Sequence, residues 1–540
     1  MTDNTWSELD ERAIKMAKVL SADAVQKAGS GHPGSPISLA PIAYTLYQRF
    51  IKHDPSDPNW AGRDRFILSG GHASLTQYVQ LYFSGYGLTL DDLKYFRGGK
   101  DTRTPGHPEV GLTPGIEMTT GPLGQGLASA VGFAYGQRFE RGLLDPDTEA
   151  GKSPFDHKVW VICGEGDVEE GVSSEASSLA GNQELGNLFV IFDANHIQIE
   201  GETKIAFAED VLKRYEAYGW YTDEISFIQP DGSYKEDIEG LTKVLEKAEQ
   251  VTDRPHFIKV DTLIAWPTPG KTNDPSSHGS ALGDEAVAAL KKVLGFDPAK
   301  TFEIDEEALA HAREVAQRGA QAHAEWDEAL AQWRSANPDK AALYDRIKAG
   351  ELPEDFDKAI DDLEATFEVG SKVATRKASG AALNAVAAVM PELWGGSADL
   401  GGSNNTNIKG AQSFAPAKYA TTQWPNCSIY GRQLHFGVRE FASGCITNGI
   451  LLGSDTRPFS GTFFQFADYE RAAVRLAALM EIPNLFIWTH DSVALGEDGP
   501  THQPIEHLDS FRAIPQFEVV RPADEWETAE AYRAFFEKDN

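Results

Sequence analysis

Short apolar runs that alternate with helical stretches constrain the fold of this sequence more than any other feature. Residues 66–68, 159–162, 188–192 and 257–260 are each continuous and apolar enough for a strand buried on both faces. Strands that alternate with helices predict a parallel sheet covered by helices on both faces. Ligands of such sheets bind beyond the carboxyl ends of the strands, so the residues after each run are the first candidates for a site.

The alternation stops at about residue 283 and returns after residue 372. Between these points the sequence is rich in Ala, Glu, Asp and Arg and has a helical period, as in 306–332 and 357–367. Strands are predicted at 393–394, 428–430, 485–488 and 517–520, and helices at 39–50, 439–452, 468–480 and 525–536. The pattern predicts a sheet domain over 1–300, a helical connector over 301–370 and a second sheet domain over 371–540.

The charge of the chain limits its partners. It carries 81 acidic and 49 basic side chains, a formal net charge of −32, which repels nucleic acid and anionic membranes. No signal peptide and no apolar run long enough to cross a bilayer is recognisable, so a cytoplasmic protein is expected. The three Cys, at 163, 427 and 445, have no zinc or disulfide spacing and are interpreted as buried thiols.

A possible metal site follows two neighbouring predicted strands. One ends in Gly164-Glu165-Gly166, and the next is followed by Asn195, with the backbone carbonyl of Ile197 close behind. A carboxylate, an amide oxygen and a carbonyl are the hard oxygen ligands that Mg²⁺ or Ca²⁺ prefers. On spacing alone, Glu165 is equally compatible with a solvated helix cap, and Asp167 is a competing ligand.

Gly164-Glu165-Gly166, with Asn195 about thirty residues later, resembles the thiamine diphosphate signature, in which Asp usually stands where this chain has Glu165. Further matching segments are Ser30-Gly31-His32-Pro33-Gly34, Gly71-His72, Thr104-Pro105-Gly106-His107-Pro108, Thr119-Thr120-Gly121-Pro122-Leu123-Gly124-Gln125-Gly126, Ser277-His278-Gly279, Arg376-Lys377-Ala378-Ser379, Gly437-Val438-Arg439-Glu440-Phe441 and 489–504. In this order, and over essentially the whole chain, they resemble the transketolase family.

The resemblance implies thiamine diphosphate and a divalent ion, Mg²⁺, Ca²⁺ or Mn²⁺, held by Glu165, Asn195 and Ile197. The implied cofactor contacts are His72, Gly121, Pro122, Leu123, Gly166, Asn195, His278, Glu440, Phe463 and Phe466. Glu440 would hydrogen-bond the pyrimidine ring, and its burial would raise the pKa of its carboxyl. Without the resemblance, Glu440 is an ordinary first-turn helix acid and the aromatic segment a core strand, which is the interpretation kept for Phe464.

Six of the 14 His lie in Gly-, Ser- or Pro-rich or Asp-flanked loops, although a single His is more often structural. The resemblance implies that His32, His107, His278 and His502 line the substrate channel and that His32, His278, His502 and Glu440 are catalytic. It implies that Asp498 contacts a sugar hydroxyl. Arg376, Ser403 and His490 would hold the substrate phosphate, for which the forked donors of Arg are suited.

The resemblance further implies a homodimer with active sites at the subunit interface, where Glu170 and Glu175 would couple the sites if they are more than a solvated helix face. It also implies a third α/β domain and a last strand of the second domain, both expected beyond residue 540 of a longer protein. The implied activity is ketol transfer between sugar phosphates such as xylulose 5-phosphate and ribose 5-phosphate, in the pentose phosphate pathway. Dihydroxyacetone synthase, 1-deoxyxylulose 5-phosphate synthase, phosphoketolase and a non-catalytic truncated paralogue remain alternatives.

Overall fold

A computed structural model describes residues 6–538 of the chain. It divides into two compact units. Unit 1 comprises residues 6–130 and 157–328, and unit 2 comprises 131–156 and 329–538. The boundaries predicted from the sequence, at residues 300 and 370, stay a prediction.

The strands are β1 (Arg65–Leu68), β2 (Val159–Gly164), β3 (Leu188–Ala194), β4 (Ile197–Gln198), β5 (Gly201–Glu202), β6 (Tyr221–Ser226), β7 (His256–Asp261), β8 (Leu393–Ser397), β9 (Ser413–Phe414), β10 (Cys427–Ser428), β11 (Gln433–His435), β12 (Arg457–Phe463) and β13 (Leu485–Thr489). The helices are α1 (Glu8–Ala28), α2 (Gly34–Thr45), α3 (Leu75–Ser84), α4 (Leu90–Lys94), α5 (Gln125–Leu144), α6 (Glu165–Glu169), α7 (Gly171–Asn182), α8 (Val211–Ala217), α9 (Ile238–Glu249), α10 (Ser276–Gly279), α11 (Asp284–Leu294), α12 (Glu306–Ala312), α13 (Val315–Ala336), α14 (Pro338–Lys348), α15 (Phe356–Glu364), α16 (Thr375–Val389), α17 (Gly401–Asn404), α18 (Glu440–Gly453), α19 (Ala467–Met480), α20 (His507–Arg512) and α21 (Glu525–Lys538).

The sheet of unit 1 is parallel and has the strand order β1-β2-β3-β7-β6. Its central strands β2 and β3 are almost wholly buried, as their continuous apolar sequences predict. Helix α1 packs on this unit, and it begins where Ser7 and Asp10 form a reciprocal capping box. It ends at Gly29, whose φ of 69° is the left-handed conformation that glycine adopts without a steric cost.

The sheet of unit 2 is also parallel, with the order β10-β9-β11-β8-β12-β13. Helices α16 and α21 pack together around an apolar cluster that includes Leu383, Phe459 and Phe536. A second cluster, around Phe464 and Phe511, lies beside α19. The α/β class with two parallel sheets is therefore confirmed.

Several local expectations were wrong. Residues 517–520 form no strand, because Phe517 and Val519 pack on the Phe511 cluster while Val520 is 66% exposed. The strand predicted at 428–430 ends at Ser428, and Phe464 is buried in a short 3₁₀ turn instead of a strand. The helix predicted from Leu39 begins earlier, at Gly34, and gives way to a π-helical turn at Leu46–Phe50.

Two further observations concern the whole of the described chain. Cys163 and Cys445 are buried thiols as expected, but Cys427 is only half-buried, since it lies on the short strand β10. Within residues 6–538 no helix combines the length and the apolar character that crossing a membrane requires.

Candidate active site

Two loops meet at the carboxyl edge of the unit 1 sheet. Gly164, the last residue of β2, lies opposite Asp193 of β3, so the residues that follow these two strands are neighbours. Glu165 does not extend the strand as the sequence predicted; it is the first residue of α6. Asn195 directly follows β3. The two side chains proposed from the sequence as metal ligands therefore belong to adjacent loops.

Glu165 is buried and bound to the second of these loops. One of its carboxylate oxygens accepts a hydrogen bond of 2.5 Å from the backbone N–H of His196. Burial, followed by the neighbouring charge of Asp193, raises the pKa of the Glu165 carboxyl to about 8. The protein itself thus compensates the negative charge of an ionised Glu165 only poorly.

Asn195 is fixed by the backbone and by a buried acid that the sequence analysis did not identify. Its Nδ2 donates to Asp193 at 2.9 Å, and its Oδ1 accepts the backbone N–H of Ile197 at 3.0 Å. Thr262 in turn donates to Asp193 at 2.6 Å. These three hydrogen bonds fix which atom of the Asn195 side-chain amide is the oxygen, and they direct that oxygen toward the backbone N–H of Ile197.

Asp167, the competing ligand in the sequence analysis, has a different set of contacts. One of its oxygens accepts from Ser69 Oγ at 2.6 Å and from the backbone N–H of Gly124 at 2.9 Å. The other accepts from the N–H of Gly164 at 3.0 Å. Because both oxygens are bound by protein donors, Asp167 serves as a clamp between three loops.

Four histidines that are far apart in the sequence come together in unit 1. The ring centroid of His32 lies 5.1 Å from that of His72, 6.4 Å from His107 and 5.7 Å from His278. His72 and His278 are 5.1 Å apart. This set, called the histidine cluster below, was predicted residue by residue, but only the fold brings its members together.

Every member of the histidine cluster has a pKa below that of free histidine. Burial is the main cause, and it lowers the pKa of His32 to about 4. Burial acts in the same direction on His72, His107 and His278, and the charges of the neighbouring histidines lower the pKa of His72 further. The four rings are therefore neutral at physiological pH and can accept as well as donate hydrogen bonds.

Close backbone packing links the histidine cluster to the Glu165 loop. A Cβ atom on Gly71 would lie 2.7 Å from Thr120 and 2.8 Å from the backbone nitrogen of Gly121. A Cβ on Gly121 would lie 3.3 Å from the ring of His107. On the other side of this loop, Gly166 packs on Leu123, since a Cβ there would lie 2.8 Å from the Leu123 methyl carbon. Pro122, between them, is exposed.

A second cluster of predicted residues lies in unit 2. Arg376 Nη1 is 3.2 Å from His490 Nε2 and donates to the backbone carbonyl of Ser403 at 3.1 Å. The ring of His490 stacks at 3.9 Å from that of Phe463. The side chain of Ser403 is exposed beside this group. Burial lowers the pKa of His490, and the adjacent Arg376 lowers it further.

The remaining predicted residues of unit 2 surround this cluster or lie on α18. His502 is 5.0 Å from Phe466 and 6.3 Å from Phe463, between ring centroids. Asp498 is exposed on the preceding loop, where its charge acts on His490. Glu440 is the first residue of α18 and is 8% exposed.

In each unit the polar residues lie on a parallel-sheet domain. In unit 1 the Glu165 and Asn195 loops lie beyond the carboxyl ends of β2 and β3, where open α/β enzymes bind ligands. The fold and the site therefore place this protein in the class of α/β enzymes built from two parallel-sheet domains. A family model described as "Transketolase, thiamine diphosphate binding domain" matches residues 9–353, and one described as "Transketolase, pyrimidine binding domain" matches residues 371–540. The chain belongs to the transketolase family.

Individual relatives agree with this assignment. A transketolase of Mycobacterium tuberculosis is 54% identical over 536 residues, which are 99% of this chain and 75% of that protein. A transketolase of Geobacillus stearothermophilus is 45% identical over 530 residues, 98% of this chain and 76% of that protein. The crystal structure of a Pichia stipitis transketolase in complex with sedoheptulose 7-phosphate has a TM-score of 0.90 and 40% identity, and the match covers 98% of this chain and 76% of that one.

These similarities establish the general activity. The chain is a transferase with the thiamine diphosphate-binding and pyrimidine-binding domains of transketolases. The roles of its individual residues follow from chemistry and geometry.

Proposed function

We propose that this protein transfers a glycolaldehyde unit from a ketose phosphate, such as xylulose 5-phosphate, to an aldose phosphate, such as ribose 5-phosphate, as a step of the pentose phosphate pathway. The observation that carries the proposal is the continuous polar edge of unit 1. There the histidine cluster, the 121–123 loop and the Glu165–Asn195 loops are in contact through Gly71 and Gly166.

The residues of this edge fit the diphosphate half of thiamine diphosphate. Thr120 Oγ1, His32 Nδ1 and His278 Nδ1 are buried and have no hydrogen-bond partner within the described residues, so each has capacity for a polar ligand. Gly121 has a φ of 149°, a conformation that favours glycine and lets the backbone approach a ligand closely. We assign His72, His278, Gly121, Pro122, Leu123 and Gly166 to the cofactor.

Glu165, Asn195 and the carbonyl of Ile197 are proposed to hold the divalent ion, Mg²⁺ being the first candidate and Ca²⁺ and Mn²⁺ the others. All three donors are hard oxygens, which these ions prefer. Asp193 and Thr262 support them, since they orient the Asn195 amide. The ion would join the diphosphate to the sheet edge. Glu is one methylene longer than the usual Asp, and here it is the first residue of α6 instead of the last residue of β2.

Glu440, Phe463 and Phe466 are assigned to the pyrimidine half of the cofactor. When bound, thiamine diphosphate would supply carbanion chemistry for the ketose carbonyl. Glu440 is buried at the start of α18, where a carboxyl group can share its proton with a ring nitrogen. Phe463 and Phe466, with rings 6.1 Å apart and nearly parallel, offer apolar faces for an aromatic ring.

The histidine residues are proposed to handle the protons of the sugar. His32, His107 and His278 are neutral, so each ring has one nitrogen that can accept a proton from a substrate hydroxyl and later return it. His502 lies next to the aromatic pair of unit 2 and is proposed to act on a sugar hydroxyl. Their donors would also stabilise the alkoxide that develops as the C2–C3 bond of the sugar breaks.

Arg376, His490 and Ser403 are proposed to bind the terminal phosphate, and Asp498 a sugar hydroxyl. Arg376 and His490 are already in contact: Arg376 Nη1 donates to Nε2 of His490, and the guanidinium has further N–H donors to offer. Arginine suits a phosphate because its planar donors match two phosphate oxygens. These residues provide local positive charge in a chain whose net charge is −32.

We also propose a homodimer with active sites at the subunit interface, in a cytoplasmic protein. Glu170 precedes α7 and is exposed, whereas Glu175 is half-buried within that helix. Such acids at a subunit interface could couple two sites. Sedimentation of the cofactor-loaded protein at micromolar concentration tests the dimer, and a monomer under these conditions would contradict it.

The decisive experiment is a ketol-transfer assay with xylulose 5-phosphate and ribose 5-phosphate. We expect turnover that requires thiamine diphosphate and a divalent ion, and loss of turnover in Glu440→Gln and Glu440→Ala with normal folding. Turnover by Glu440→Gln at the wild-type rate would remove Glu440 from its role. Decarboxylation of pyruvate, use of formaldehyde as acceptor or formation of acetyl phosphate would instead favour 1-deoxyxylulose 5-phosphate synthase, dihydroxyacetone synthase or phosphoketolase.

A further inference from the structure

His490, a residue of the proposed phosphate site, directly follows β13 and is bound at both nitrogens of its ring. Nδ1 lies 2.8 Å from Thr489 Oγ1, and Nε2 lies 3.2 Å from Arg376 Nη1. The backbone of His490 has a φ of 56°, a left-handed conformation that is uncommon for a residue other than glycine. Such conformations persist where the surrounding contacts hold them, and they cluster at binding sites.

The contact with Arg376 determines which nitrogen of His490 carries the proton. Burial and then the charge of Arg376 lower the pKa of His490, so its ring is neutral at physiological pH and has one N–H. A guanidinium group has five N–H donors and no acceptor, so the ring nitrogen that it contacts must be unprotonated. That nitrogen is Nε2. The proton therefore lies on Nδ1, which donates to Thr489 Oγ1.

The contacts of Thr489 give the same assignment from the other side of the ring. A threonine hydroxyl has one proton to donate, and that of Thr489 goes to Oδ1 of Asn404 at 2.7 Å. Toward His490 the hydroxyl can then only accept, which again places the ring proton on Nδ1. The amide of Asn404 is itself oriented, because its Nδ2 donates to Ser397 Oγ at 3.0 Å.

Asn404 and Thr489 are both shielded from solvent. Asn404, the last residue of α17, is 0% exposed, and Thr489 is 6% exposed. Beyond Asn404 the hydrogen-bonded groups continue, since Ser397 Oγ lies 2.6 Å from Thr406 Oγ1. A residue as deeply buried as Asn404 can influence a ligand at the surface only through its neighbours, and Thr489 connects it to His490.

We propose that Asn404 is a positioning residue of the phosphate site, which acts through Thr489 to fix the proton of His490 on Nδ1. Nε2 of His490 then accepts from Arg376 and orients its guanidinium group. The two hydrogens of Arg376 Nη1 are directed to His490 and to the Ser403 carbonyl, 3.1 Å away. The N–H groups on Nε and Nη2 are left for a phosphate, and such a pair of donors matches two phosphate oxygens.

This inference rests on the proposed function only in its second half. The position of the proton follows from contacts within unit 2, whereas its value for catalysis depends on phosphate binding at Arg376. Two acids near His490, Asp498 and Asp491, favour a protonated ring, and His502 opposes it. The proton position is therefore tested at about pH 8, above the usual pKa of histidine, where the ring is neutral.

Nitrogen NMR of the cofactor-loaded protein without substrate, labelled with nitrogen-15 in its histidine rings, tests the proton position. Protonated and unprotonated ring nitrogens have well-separated chemical shifts, and correlations with the ring C–H protons distinguish Nδ1 from Nε2. The signals that disappear in His490→Gln belong to His490. We expect a protonated Nδ1 and an unprotonated Nε2 in the wild type, and a protonated Nε2 would overturn the inference.

Three variants test whether Asn404 and Thr489 fix this proton. Asn404→Leu has a similar size but no acceptor, so the Thr489 hydroxyl can donate to His490 Nδ1, and a form with the proton on Nε2 should appear. Thr489→Val removes the hydroxyl and should give a mixture of both forms. Thr489→Ser keeps the hydroxyl and should resemble the wild type. The control is Thr462→Val on β12, which removes a buried hydroxyl without a hydrogen-bond partner among the described residues and should leave His490 unchanged.

Substrate binding provides the second measurement. An N–H on Nε2 of His490 opposes the guanidinium group, so Arg376 should lose its orientation in Asn404→Leu and Thr489→Val. We expect KM for xylulose 5-phosphate to rise by up to about tenfold with kcat little changed, as for the loss of one hydrogen bond to a charged group. KM for unphosphorylated xylulose should not change, whereas a general loss of structure would affect both sugars. Thr489→Ser should retain the wild-type KM.

The outcomes separate this inference from the proposed function. An Asn404→Leu variant that keeps the proton of His490 on Nδ1 overturns the inference, and Thr489→Val decides in the same way where Asn404→Leu does not fold. A displaced proton with an unchanged KM for the phosphorylated sugar overturns the positioning role. Equal losses with both sugars in Arg376→Ala contradict the proposed phosphate site instead, whatever the nitrogen spectra show.

Discussion

The carboxylate of Glu165 accepts the backbone N–H of His196, so the loop after β2 is bound directly to the loop after β3. This contact places the acid next to Asn195 without using the Asn195 side chain.

Replacing Glu165 with Gln should weaken divalent ion binding. The amide has the same length and can still accept from His196, but it lacks the charge that attracts the ion. We expect the Kd for Mg²⁺, measured by calorimetry in the presence of thiamine diphosphate, to rise at least about tenfold, since loss of an outer-shell partner alone has such an effect. Glu169→Gln is the control, because Glu169 lies on the same helix but is exposed and bonded to Gln198. Equal affinities in the two variants would contradict Glu165 as a ligand.

Replacing Asp167 with Asn should destabilise the protein. The amide nitrogen cannot accept a hydrogen bond, so at least one donor among Ser69, Gly124 and Gly164 loses its partner. Leaving a buried donor unsatisfied costs about 1–3 kcal/mol of unfolding free energy, to be measured by urea denaturation of the first transition. The control, Asp101→Asn, changes an exposed residue and should have no measurable effect. A variant as stable as wild type would show that the clamp is dispensable.

The histidine cluster should make the protein sensitive to acid. Its members have pKa values lowered by burial in the folded state, to about 4 for His32, whereas unfolded histidine titrates near 6.5. Above pH 6.5 these histidines are mostly neutral in both the folded and the unfolded state, so their titration does not lower the free energy of unfolding. As the pH falls from 6.5 toward 4, the unfolded chain binds more protons and the stability decreases.

His32→Gln should therefore flatten the decline of the melting temperature between pH 6.5 and pH 4.5. His311→Gln is the matched control, because the ring of His311 lies outside the histidine cluster, 3.0 Å from Asp10. If both variants follow the wild-type curve, the cluster does not govern acid stability.

Arg376→Ala should impair phosphorylated substrates selectively. Hydrogen bonds to charged groups contribute about 1.5–3 kcal/mol, so we expect kcat/KM for xylulose 5-phosphate to fall by about tenfold to a hundredfold. The value for unphosphorylated xylulose should change little, since no phosphate contact is lost. Lys377→Ala, which removes the adjacent exposed cation, should not alter either substrate. An equal loss with both sugars would exclude Arg376 from phosphate binding.

Periodicity predicts β1, β2, β3 and β7 of unit 1, because buried parallel strands such as β2 and β3 have continuous apolar sequences. It does not predict β6, β9 or β11, which are very short or carry polar residues. The same signal was misleading at 517–520, where alternation reflects one packed face and not backbone pairing. Distinguishing these cases requires knowing which strand edges are already occupied, and that is a property of the tertiary structure.

The candidate site was predictable only in part. His32, His72, His107 and His278 were found through motifs, yet nothing in their spacing indicates that the four rings lie within a few ångströms of one another. The supporting acid Asp193 was missed for the opposite reason. Its importance arises from burial and from a donor, Thr262, that is distant in sequence.

The Asp167 clamp has a consequence for the kinetics of ligand capture. Because one carboxylate joins the ends of β1 and β2 to the 121–124 loop, these segments are ordered as the protein folds. The conformational entropy of these segments is therefore lost on folding and does not reduce the free energy of ligand binding. A ligand binds to segments that are already ordered. We therefore expect a ligand to associate with this part of unit 1 with little loop rearrangement, so that rearrangement does not limit the association rate.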